Sequence, residues 1–194
     1  DYIIELSNNF KEVYLSIDTY NSNVAEFALS KGFSIINDIS AGKYDTNIFN
    51  VVKDYNAGYV LMHMQGDPKN MQKNPKYNNV VESILLFLKD KIQKLEGLGI
   101  ENIIIDPGFG FGKNIDDNFK ILKQLDLFQS LNKPIMVGLS RKSMIYKTLK
   151  ITPEESLNGT TVLNTKALEK GANILRVHDA REAFQCINLL DNLN

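Results

Sequence analysis

The chain has 194 residues, of which 43% are hydrophobic and 23% charged, so it is long enough for one globular domain with a sizeable core. Its 22 Lys and Arg residues are balanced by 23 Asp and Glu residues, for a formal net charge of -1. This balance excludes the excess of positive charge that is typical of nucleic-acid-binding proteins. No apolar run approaches the roughly 18 residues of a membrane span. We therefore expect neither nucleic acid nor a membrane as a partner.

Amphipathic helices and short apolar strands alternate along the chain. Strands are predicted at residues 13–18, 34–39, 59–64, 102–106, 134–139 and 173–177. Helices are predicted at residues 22–31, 45–56, 79–96, 116–131, 153–170 and 181–193. Gly32, Gly58, Gly99 and Gly171 stand between helix and strand, where a glycine supplies the left-handed residue that ends a helix. The alternation predicts βα units around a parallel sheet, in a single domain over residues 1–194.

Six βα units are fewer than a TIM-type (β/α)8 barrel contains, since that barrel needs about 250 residues. The chain starts with Asp1 rather than Met, and its first residues look like the tail of a helix and a loop. An open six-stranded sheet and a barrel whose first two units are missing both fit. The start of the sequence favours the barrel, and we expect the domain to be incomplete at its N-terminus.

The most informative segment runs from Asn102 to Lys113 and reads NIIIDPGFGFGK. Its isoleucine run suits a strand buried on both faces, and Asp106 stands where that strand ends. A carboxylate in this position, followed by a glycine-rich turn, is typical of ligand sites in α/β folds. The alternative is a tight turn that Asp106 merely caps. The GxGxG spacing is not a dinucleotide fingerprint, and no Walker lysine is present.

Each predicted strand delivers polar side chains at the same end. In chain order these residues are Asp18, Asn37, His63, Asp106, Ser140 to Ser143, Arg176, His178 and Asp179. One such ending is common, because loops and helix caps use the same residue types. Six endings converge on one mouth if the strands close around an axis.

Such a mouth suits a flat heterocycle with amino and lactam groups. Asp18, Asn37 and Asp106 offer hydrogen-bond acceptors, and Asn37 also offers donors. Positive charge near the rim is expected from Arg141, Lys142, Arg176 and His178. Arg and Lys together suit a phosphate or a carboxylate, and Met62 and Phe111 offer apolar cover. We expect a polar ring in the well and an anionic group at the rim.

Several of these residues also have structural interpretations. His63 is expected to hydrogen-bond near the core, and Asp38 either caps a loop or pairs with a lysine. Lys113 is expected to cap the glycine-rich turn or to pair with an acid. Of the two basic residues after the fifth strand, Lys142 rather than Arg141 is expected to face the mouth.

The cysteine and histidine content limits the chemistry further. One cysteine and two histidines exclude a zinc cluster. The single cysteine, Cys186, cannot form an internal disulfide, which fits a cytoplasmic protein, and its apolar neighbours predict a core position.

Six segments resemble the dihydropteroate synthase family of folate biosynthesis. They are SIDTYNSNVAEFAL, INDIS, LMHMQGDPKNMQ, IIIDPGFGFGK, VGLSRKS and ILRVHD, in the order of the family. The resemblance implies a (β/α)8 barrel and a transferase that joins 6-hydroxymethyl-7,8-dihydropterin pyrophosphate to 4-aminobenzoate and releases pyrophosphate. It also implies a homodimer and a 4-aminobenzoate site to which sulfonamides bind as mimics of 4-aminobenzoate.

Carried over by motif position, the resemblance implies three sets of contacts. The pterin set is Asp18, Asn37, Met62, Asp106, Gly138, Lys142 and Arg176. The 4-aminobenzoate set is Phe111, Lys142 and Ser143, and the pyrophosphate set is Arg176 and His178. Catalysis would depend on Asp18, Asp106 and Lys142.

Two features of the family are missing from the sequence. Its first strand, with an NVTPDSF-type stretch, supplies an asparagine associated with Mg2+ and pyrophosphate, and its second βα unit carries an arginine loop. The resemblance therefore implies Mg2+ as a cofactor but predicts no metal ligand in this segment.

Two other functions stay open at this point. A pterin-dependent methyltransferase domain that acts with a corrinoid protein shares the barrel and the pterin well, but has no need of SRKS or RVHD. A non-catalytic pterin-binding module would bind the ligand without releasing pyrophosphate.

Overall fold

The computed structural model describes residues 2–73 and 75–193 and confirms the alternation of helix and strand. The strands are β1 (Ser16–Asp18), β2 (Ile35–Asp38), β3 (Gly58–Met62), β4 (Ile103–Asp106), β5 (Met136–Val137) and β6 (Ile174–Leu175). The α-helices are α1 (Tyr2–Asn9), α2 (Ser22–Ser30), α3 (Ile48–Asp54), α4 (Val80–Gly97), α5 (Ile115–Lys123), α6 (Ser143–Leu149), α7 (Leu157–Glu169) and α8 (Ala180–Asp191). Two 3-10 helices span Leu125–Leu131 and Glu154–Ser156.

The chain divides into two compact units. The first comprises the chain up to His63 together with Leu86–Ile105, and the second comprises Met64–Leu85 and the chain from Asp106 onward. The prediction of one domain over the whole sequence stays a prediction. None of the helices in the described residues is long and apolar enough to cross a membrane.

In the first unit, the strands form a sheet in the order β1-β2-β3-β4. Strands β1 and β2 are parallel, as are β2 and β3, which confirms the predicted parallel sheet. The register sets Asp18 beside Asn37, so the two polar residues come out at the same edge. Ile36, Tyr59 and Leu61 are fully buried and form part of the core of this unit.

In the second unit, β5 and β6 form a parallel pair, with Val137 opposite Leu175. Phe128 and Val137 are fully buried there. Cys186, on α8, is also buried, as its apolar neighbours predicted.

One of the four predicted glycine joints is wrong. Gly32, Gly99 and Gly171 have φ angles of +101°, +83° and +92°, as expected after a helix. Gly58 instead opens β3, and Asn56 takes the left-handed conformation with φ of +49°. Asparagine tolerates this region better than most residues, so it replaces the glycine.

One helix prediction needs correction, and one helix was missed. The helix predicted over residues 116–131 ends at Lys123 and continues as a 3-10 helix, in which Leu125 and Phe128 are buried. Their spacing of three residues matches the three residues per turn of that helix. Helix α6 was not predicted, because its seven residues are too few to show a helical period.

Candidate functional site

Asp18 and Asn37 are in direct contact in the first unit. Asn37 Nδ2 donates to Asp18 Oδ1 at 2.6 Å. Asn37 is buried and Asp18 is exposed. Within the described residues, Asn37 Oδ1 is buried without a hydrogen-bond partner. An unsatisfied buried acceptor costs about 1–3 kcal/mol, so this oxygen is suited to accept a hydrogen bond from a ligand.

The neighbouring carboxylate, Asp38, has a structural role. It is fully buried and accepts hydrogen bonds of 2.8 Å from the Tyr59 hydroxyl and from the backbone N–H groups of Ser40 and Gly42. Burial, followed by the Asp38 charge, raises the pKa of Tyr59. Of the two interpretations of Asp38, the structure favours the loop cap.

Two further predicted residues lie at the end of β3. Met62 is its last residue and is buried. His63 is also buried, and its ring packs edge-to-face against Phe87 with 5.0 Å between the ring centroids. His63 therefore lies in the core of the first unit, as its position after an apolar run predicted.

Asp106, the last residue of β4, is the central carboxylate of the second unit. It is 7% exposed, and its Oδ1 accepts a hydrogen bond from Gly108 N at 2.7 Å. Burial raises the pKa of Asp106, whereas the Gly108 N–H and the charges of Lys142, Lys113 and Arg176 lower it. Three cationic side chains therefore act on one buried carboxyl group.

The glycine-rich turn after β4 is held from inside by Lys113. Lys113 is 2% exposed, and its Nζ donates to Gly108 O at 2.9 Å and to Phe111 O at 3.0 Å. Asn118 adds a second support, because its Oδ1 accepts from Gly110 N at 2.7 Å. Lys113 thus caps the turn, as predicted, and burial lowers its pKa to about 7.

The lowered pKa of Lys113 leads us to expect a specific pH dependence of stability. Its pKa of about 7 in the folded protein lies below the ordinary 10.5, so between these values the unfolded chain binds a proton that the folded chain has released. The free energy of unfolding should therefore rise with pH from about 7 towards 10. Urea unfolding across this range should show a rise that is smaller in Lys113→Met, in which Lys142, whose pKa burial also lowers, still titrates.

Lys166→Met is the matched control for this measurement, because Lys166 is half-exposed and forms an exposed ion pair with Glu169 on α7. This variant should keep the slope of the unmodified protein. Equal slopes in the protein and in Lys113→Met would show that Lys113 does not titrate in this range.

Lys142 follows β5 and reaches the glycine-rich turn. Its Nζ donates to Phe109 O and lies 4.6 Å from the centroid of the Phe111 ring. Burial lowers its pKa, Asp106 opposes the shift, and Arg176 adds to it. A Cβ on Gly110 would lie 3.2 Å from Lys142 Cδ, so the glycine allows the lysine to cross the turn.

The remaining predicted residues of the second unit lie around β5 and β6. Ser143 begins α6 directly after Lys142. Gly138 faces the Arg176 backbone, since a Cβ on it would lie 4.0 Å from Arg176 O. Arg176 and His178 follow β6 and are exposed. Within this unit, Gly138 and Arg176 directly follow the two paired strands, and Ser143 and His178 lie a few residues further along the same two segments.

Arg141 does not accompany Lys142. It adopts a left-handed backbone with φ of +53°, and its Nε and Nη2 donate to the two oxygens of Asp179 at 3.0 and 2.6 Å. This pairing raises the pKa of Arg141 and lowers that of Asp179. Lys142, and not Arg141, is therefore the residue that reaches the turn.

Sequence reasoning missed the residues that hold the outer side of the turn. Gln72 Nε2 donates to Gly110 O, and Tyr77 OH donates to Gly112 O at 2.9 Å. Burial, followed by the Asp117 charge, raises the pKa of Tyr77. Gln72 is the last residue of the motif LMHMQGDPKNMQ, and Tyr77 lies outside it. No local sequence pattern indicates that either residue contacts a turn more than 30 residues away.

Gly112→Ala should destabilise the protein by more than about 2 kcal/mol. Gly112 has φ of +64°, and a Cβ there would collide with the backbone oxygen of Gln65. Chemical unfolding measures the change. Gly97→Ala is the control, since a Cβ at this helical glycine meets nothing within 4 Å and should be neutral or slightly stabilising. Equal stabilities of the two variants would contradict the close approach at Gly112.

Comparison with known proteins gives consistent matches. A family model described as "Pterin binding enzyme" matches residues 1–178. The chain is 37% identical over 182 residues to dihydropteroate synthase from Escherichia coli K12, covering 93% of this chain and 64% of that protein. It is 40% identical over 178 residues to a bifunctional dihydropteroate synthase/dihydropteroate reductase from Helicobacter pylori, covering 92% and 47%.

Solved structures give the same result. Yersinia pestis dihydropteroate synthase, in a sulfonamide drug complex, superimposes with a TM-score of 0.94 at 33% identity, covering 98% of this chain and 70% of that one. Xanthomonas albilineans dihydropteroate synthase with 4-aminobenzoic acid gives a TM-score of 0.90 at 33% identity, covering 98% and 68%. These likenesses confirm the predicted α/β fold of the TIM-barrel type. The chain spans 64% of the length of the E. coli relative.

Proposed function

Because the chain belongs to the pterin-binding enzyme family and, within it, to the dihydropteroate synthases, we propose that the protein is a transferase of folate biosynthesis. It condenses 6-hydroxymethyl-7,8-dihydropterin pyrophosphate with 4-aminobenzoate to give 7,8-dihydropteroate and pyrophosphate. The X. albilineans relative has been seen with 7,8-dihydropteroate and with 4-aminobenzoic acid, which supports these substrates.

The observation that carries the proposal is the environment of Asp106. This carboxyl group is buried, yet it is acted on by Lys142, Lys113 and Arg176. A carboxyl group kept from water beside several cations suits a ligand with both donor groups and negative charge. A pterin that carries a pyrophosphate is such a ligand.

In this proposal Asp106 binds the amino-lactam edge of the pterin. One of its oxygens already accepts the Gly108 N–H, so the second oxygen is offered to the donors of the ring. In the first unit, Asn37 Oδ1 and the carboxylate of Asp18 are the acceptors assigned to the pterin, and Met62 supplies apolar surface.

The other residues assigned to the pterin belong to the second unit. The side chain of Lys142 donates to it, Arg176 packs at its rim, and Gly138 leaves room because it has no side chain.

The 4-aminobenzoate is assigned to Phe111, Lys142 and Ser143. Lys142 Nζ over the Phe111 ring combines a positive charge with an apolar surface, which suits an aromatic carboxylate. The same arrangement would accept a sulfonamide as an imitation of the arylamine.

The pyrophosphate is assigned to Arg176 and His178. The C–O bond at the pterin methylene breaks, and its electron pair leaves with the pyrophosphate. Positive groups placed where this charge develops stabilise the transition state. Asp106 and Asp18 support the cationic pterin left behind.

The nitrogen of 4-aminobenzoate then forms the new C–N bond and loses a proton to solvent. This weakly basic amine needs correct positioning more than a strong base, and Lys142 beside Phe111 provides it.

We propose Mg2+, a homodimer and a cytoplasmic location for the whole protein. Mg2+ is supported by the chemistry of pyrophosphate, which binds this ion well. Among the described residues, no group of three His, Cys, Asp or Glu could hold a metal, so the residues present do not form a magnesium site and no step is derived through the ion. The homodimer is supported by family membership alone, and the location by the single, buried and free cysteine of this sequence, Cys186, which fits a reducing compartment.

Pyrophosphate release by the full-length protein tests the proposal directly. Release from the pterin pyrophosphate should depend on 4-aminobenzoate and be blocked by a sulfonamide. Pterin binding without release would instead identify a non-catalytic pterin-binding module. Transfer of a methyl group from methyltetrahydrofolate to a corrinoid protein would identify a methyltransferase.

A further inference from the structure

Ser140 and His178 connect the end of β5 to the segment after β6. His178 N donates to Ser140 Oγ at 3.2 Å, and the same oxygen lies 2.9 Å from His178 Nδ1. Ser140 is 5% exposed, whereas His178 is exposed. One buried hydroxyl group therefore contacts both the backbone and the ring of the histidine.

The roles of donor and acceptor in the contact between Ser140 Oγ and Nδ1 depend on which nitrogen of the ring carries the proton. A serine hydroxyl has one proton to donate and two lone pairs that accept. Because the Ser140 oxygen already accepts the His178 N–H, its own proton is available for Nδ1. If Nδ1 accepts this proton, the proton of the neutral imidazole is on Nε2.

A second connection joins the residues that directly follow Ser140 and His178. Arg141 makes its two hydrogen bonds to Asp179, and its backbone N–H donates to Thr160 Oγ1 at 3.1 Å. Arg141 and Asp179 directly follow Ser140 and His178. The two strand ends are therefore joined at two consecutive positions, by the contacts of Ser140 with His178 and by the ion pair of Arg141 with Asp179.

We propose that Ser140 is a positioning residue that holds His178 as the Nε2–H tautomer, with this N–H directed away from Ser140 to bind a pyrophosphate oxygen. The assignment of the anion rests on the proposed function. An imidazole N–H is a hydrogen-bond donor to an anionic oxygen, whereas an unprotonated ring nitrogen presents a lone pair that repels it. Ser140 thus makes His178 a donor even when its ring is neutral.

The tautomer can be read directly by NMR. Protein labelled with 15N-histidine gives one set of ring signals for each histidine, and the set that disappears in His178→Gln is that of His178. At a pH at which the ring is neutral, we expect a protonated Nε2 and an unprotonated Nδ1 in the unmodified protein. A protonated Nδ1 would overturn the proposal without any assumption about activity.

Substitution of Ser140 tests whether the serine sets the tautomer. Ser140→Ala should shift the His178 signals towards a mixture of tautomers, and Ser140→Thr, which keeps the hydroxyl, should restore them. Ser130→Ala is the matched control, because Ser130 is an exposed serine that donates to Leu127 O in its own 3-10 helix. Unchanged His178 signals in Ser140→Ala would overturn the role of Ser140.

Binding of inorganic pyrophosphate tests the link to the anion. Ser140→Ala should weaken binding of pyrophosphate to the full-length protein about five-fold to ten-fold, which is less than the loss of a whole charge-assisted hydrogen bond because part of the molecules keep the Nε2–H tautomer, and should leave the KM for 4-aminobenzoate unchanged. An Nε2–H tautomer with unaltered pyrophosphate affinity would overturn the anion assignment alone. Failure of the synthase reaction with the expected NMR result would overturn the proposed function alone.

Discussion

Lys142→Ala should lower kcat/KM for the pterin pyrophosphate and for 4-aminobenzoate by about 100-fold or more each, in line with the loss of a catalytic electrostatic donor. Lys142 Nζ bonds to Phe109 O, lies over the Phe111 ring, and acts on the pKa of Asp106. One ammonium group therefore serves groups assigned to both substrates. Initial rates with each substrate varied in turn measure the two effects separately.

Two other variants make this result interpretable. Lys142→Arg keeps the charge but replaces a compact ammonium by a larger planar group, so it should recover only part of the loss. Lys166→Ala removes an exposed lysine of the same unit and should leave both values unchanged. A loss of less than about three-fold in Lys142→Ala, against the usual effect of such a group, would remove Lys142 from the site.

Residues at the strand ends were predictable from the sequence because the strands are parallel. The isoleucine run before Asp106 located the end of β4, and the pairing of β1 with β2 brings Asp18 and Asn37 to the same edge, as their positions indicated; the hydrogen bond between them was not predicted. In a parallel sheet, a polar residue that follows an apolar run comes out at a known edge. This rule needs only local sequence.

The supports of these residues were not predictable in the same way. Tyr77 reaches Gly112 across 35 residues, and Ser140 reaches His178 across 38. Tyrosines and serines are frequent in loops, so neither has a local pattern that names its partner. Lys113 was the exception, because a lysine directly after a glycine-rich turn has free carbonyl groups nearby to bind.

The same contrast explains the errors in secondary structure. Asn56 replaces the glycine expected before β3, and it adopts the left-handed conformation at little cost. The predicted position depended on residue type, whereas the structure depends only on the φ angle required there. Helix α6 ends at Leu149 and is followed by Lys150 with φ of +58°, which shows that a short helix can also end without glycine.

The second unit combines a rigid turn with a buried charge. Lys113 and Asn118 hold the glycine-rich turn from inside, and Tyr77 holds it from outside. The backbone of this turn makes hydrogen bonds to both functional groups: Gly108 N donates to Asp106, and Phe109 O accepts from Lys142. The carboxyl group and the ammonium are therefore placed by one segment, and a change in that segment should affect both.

Asp106→Asn should lower the affinity for the pterin pyrophosphate by at least about ten-fold, because hydrogen bonds to charged groups contribute about 1.5–3 kcal/mol. Gly108 N donates to Oδ1 of Asp106 at 2.7 Å, so the amide oxygen of the variant must keep that position. The amide nitrogen then faces the ligand, and its two N–H groups meet the donors of the amino-lactam edge. Titration of the pterin pyrophosphate into each protein measures the loss.

The fold of this variant should survive the substitution. Burial raises the pKa of Asp106, so the protein already bears a cost for the charge, and a neutral amide of the same shape removes that cost. A loss of affinity is therefore a property of the site and not of unfolding, which chemical unfolding of the variant checks. Asp126→Asn is the control, since Asp126 is half-exposed and pairs with Lys170 at 3.2 Å. A loss below about 1 kcal/mol in Asp106→Asn would contradict the assignment of this carboxylate to the pterin.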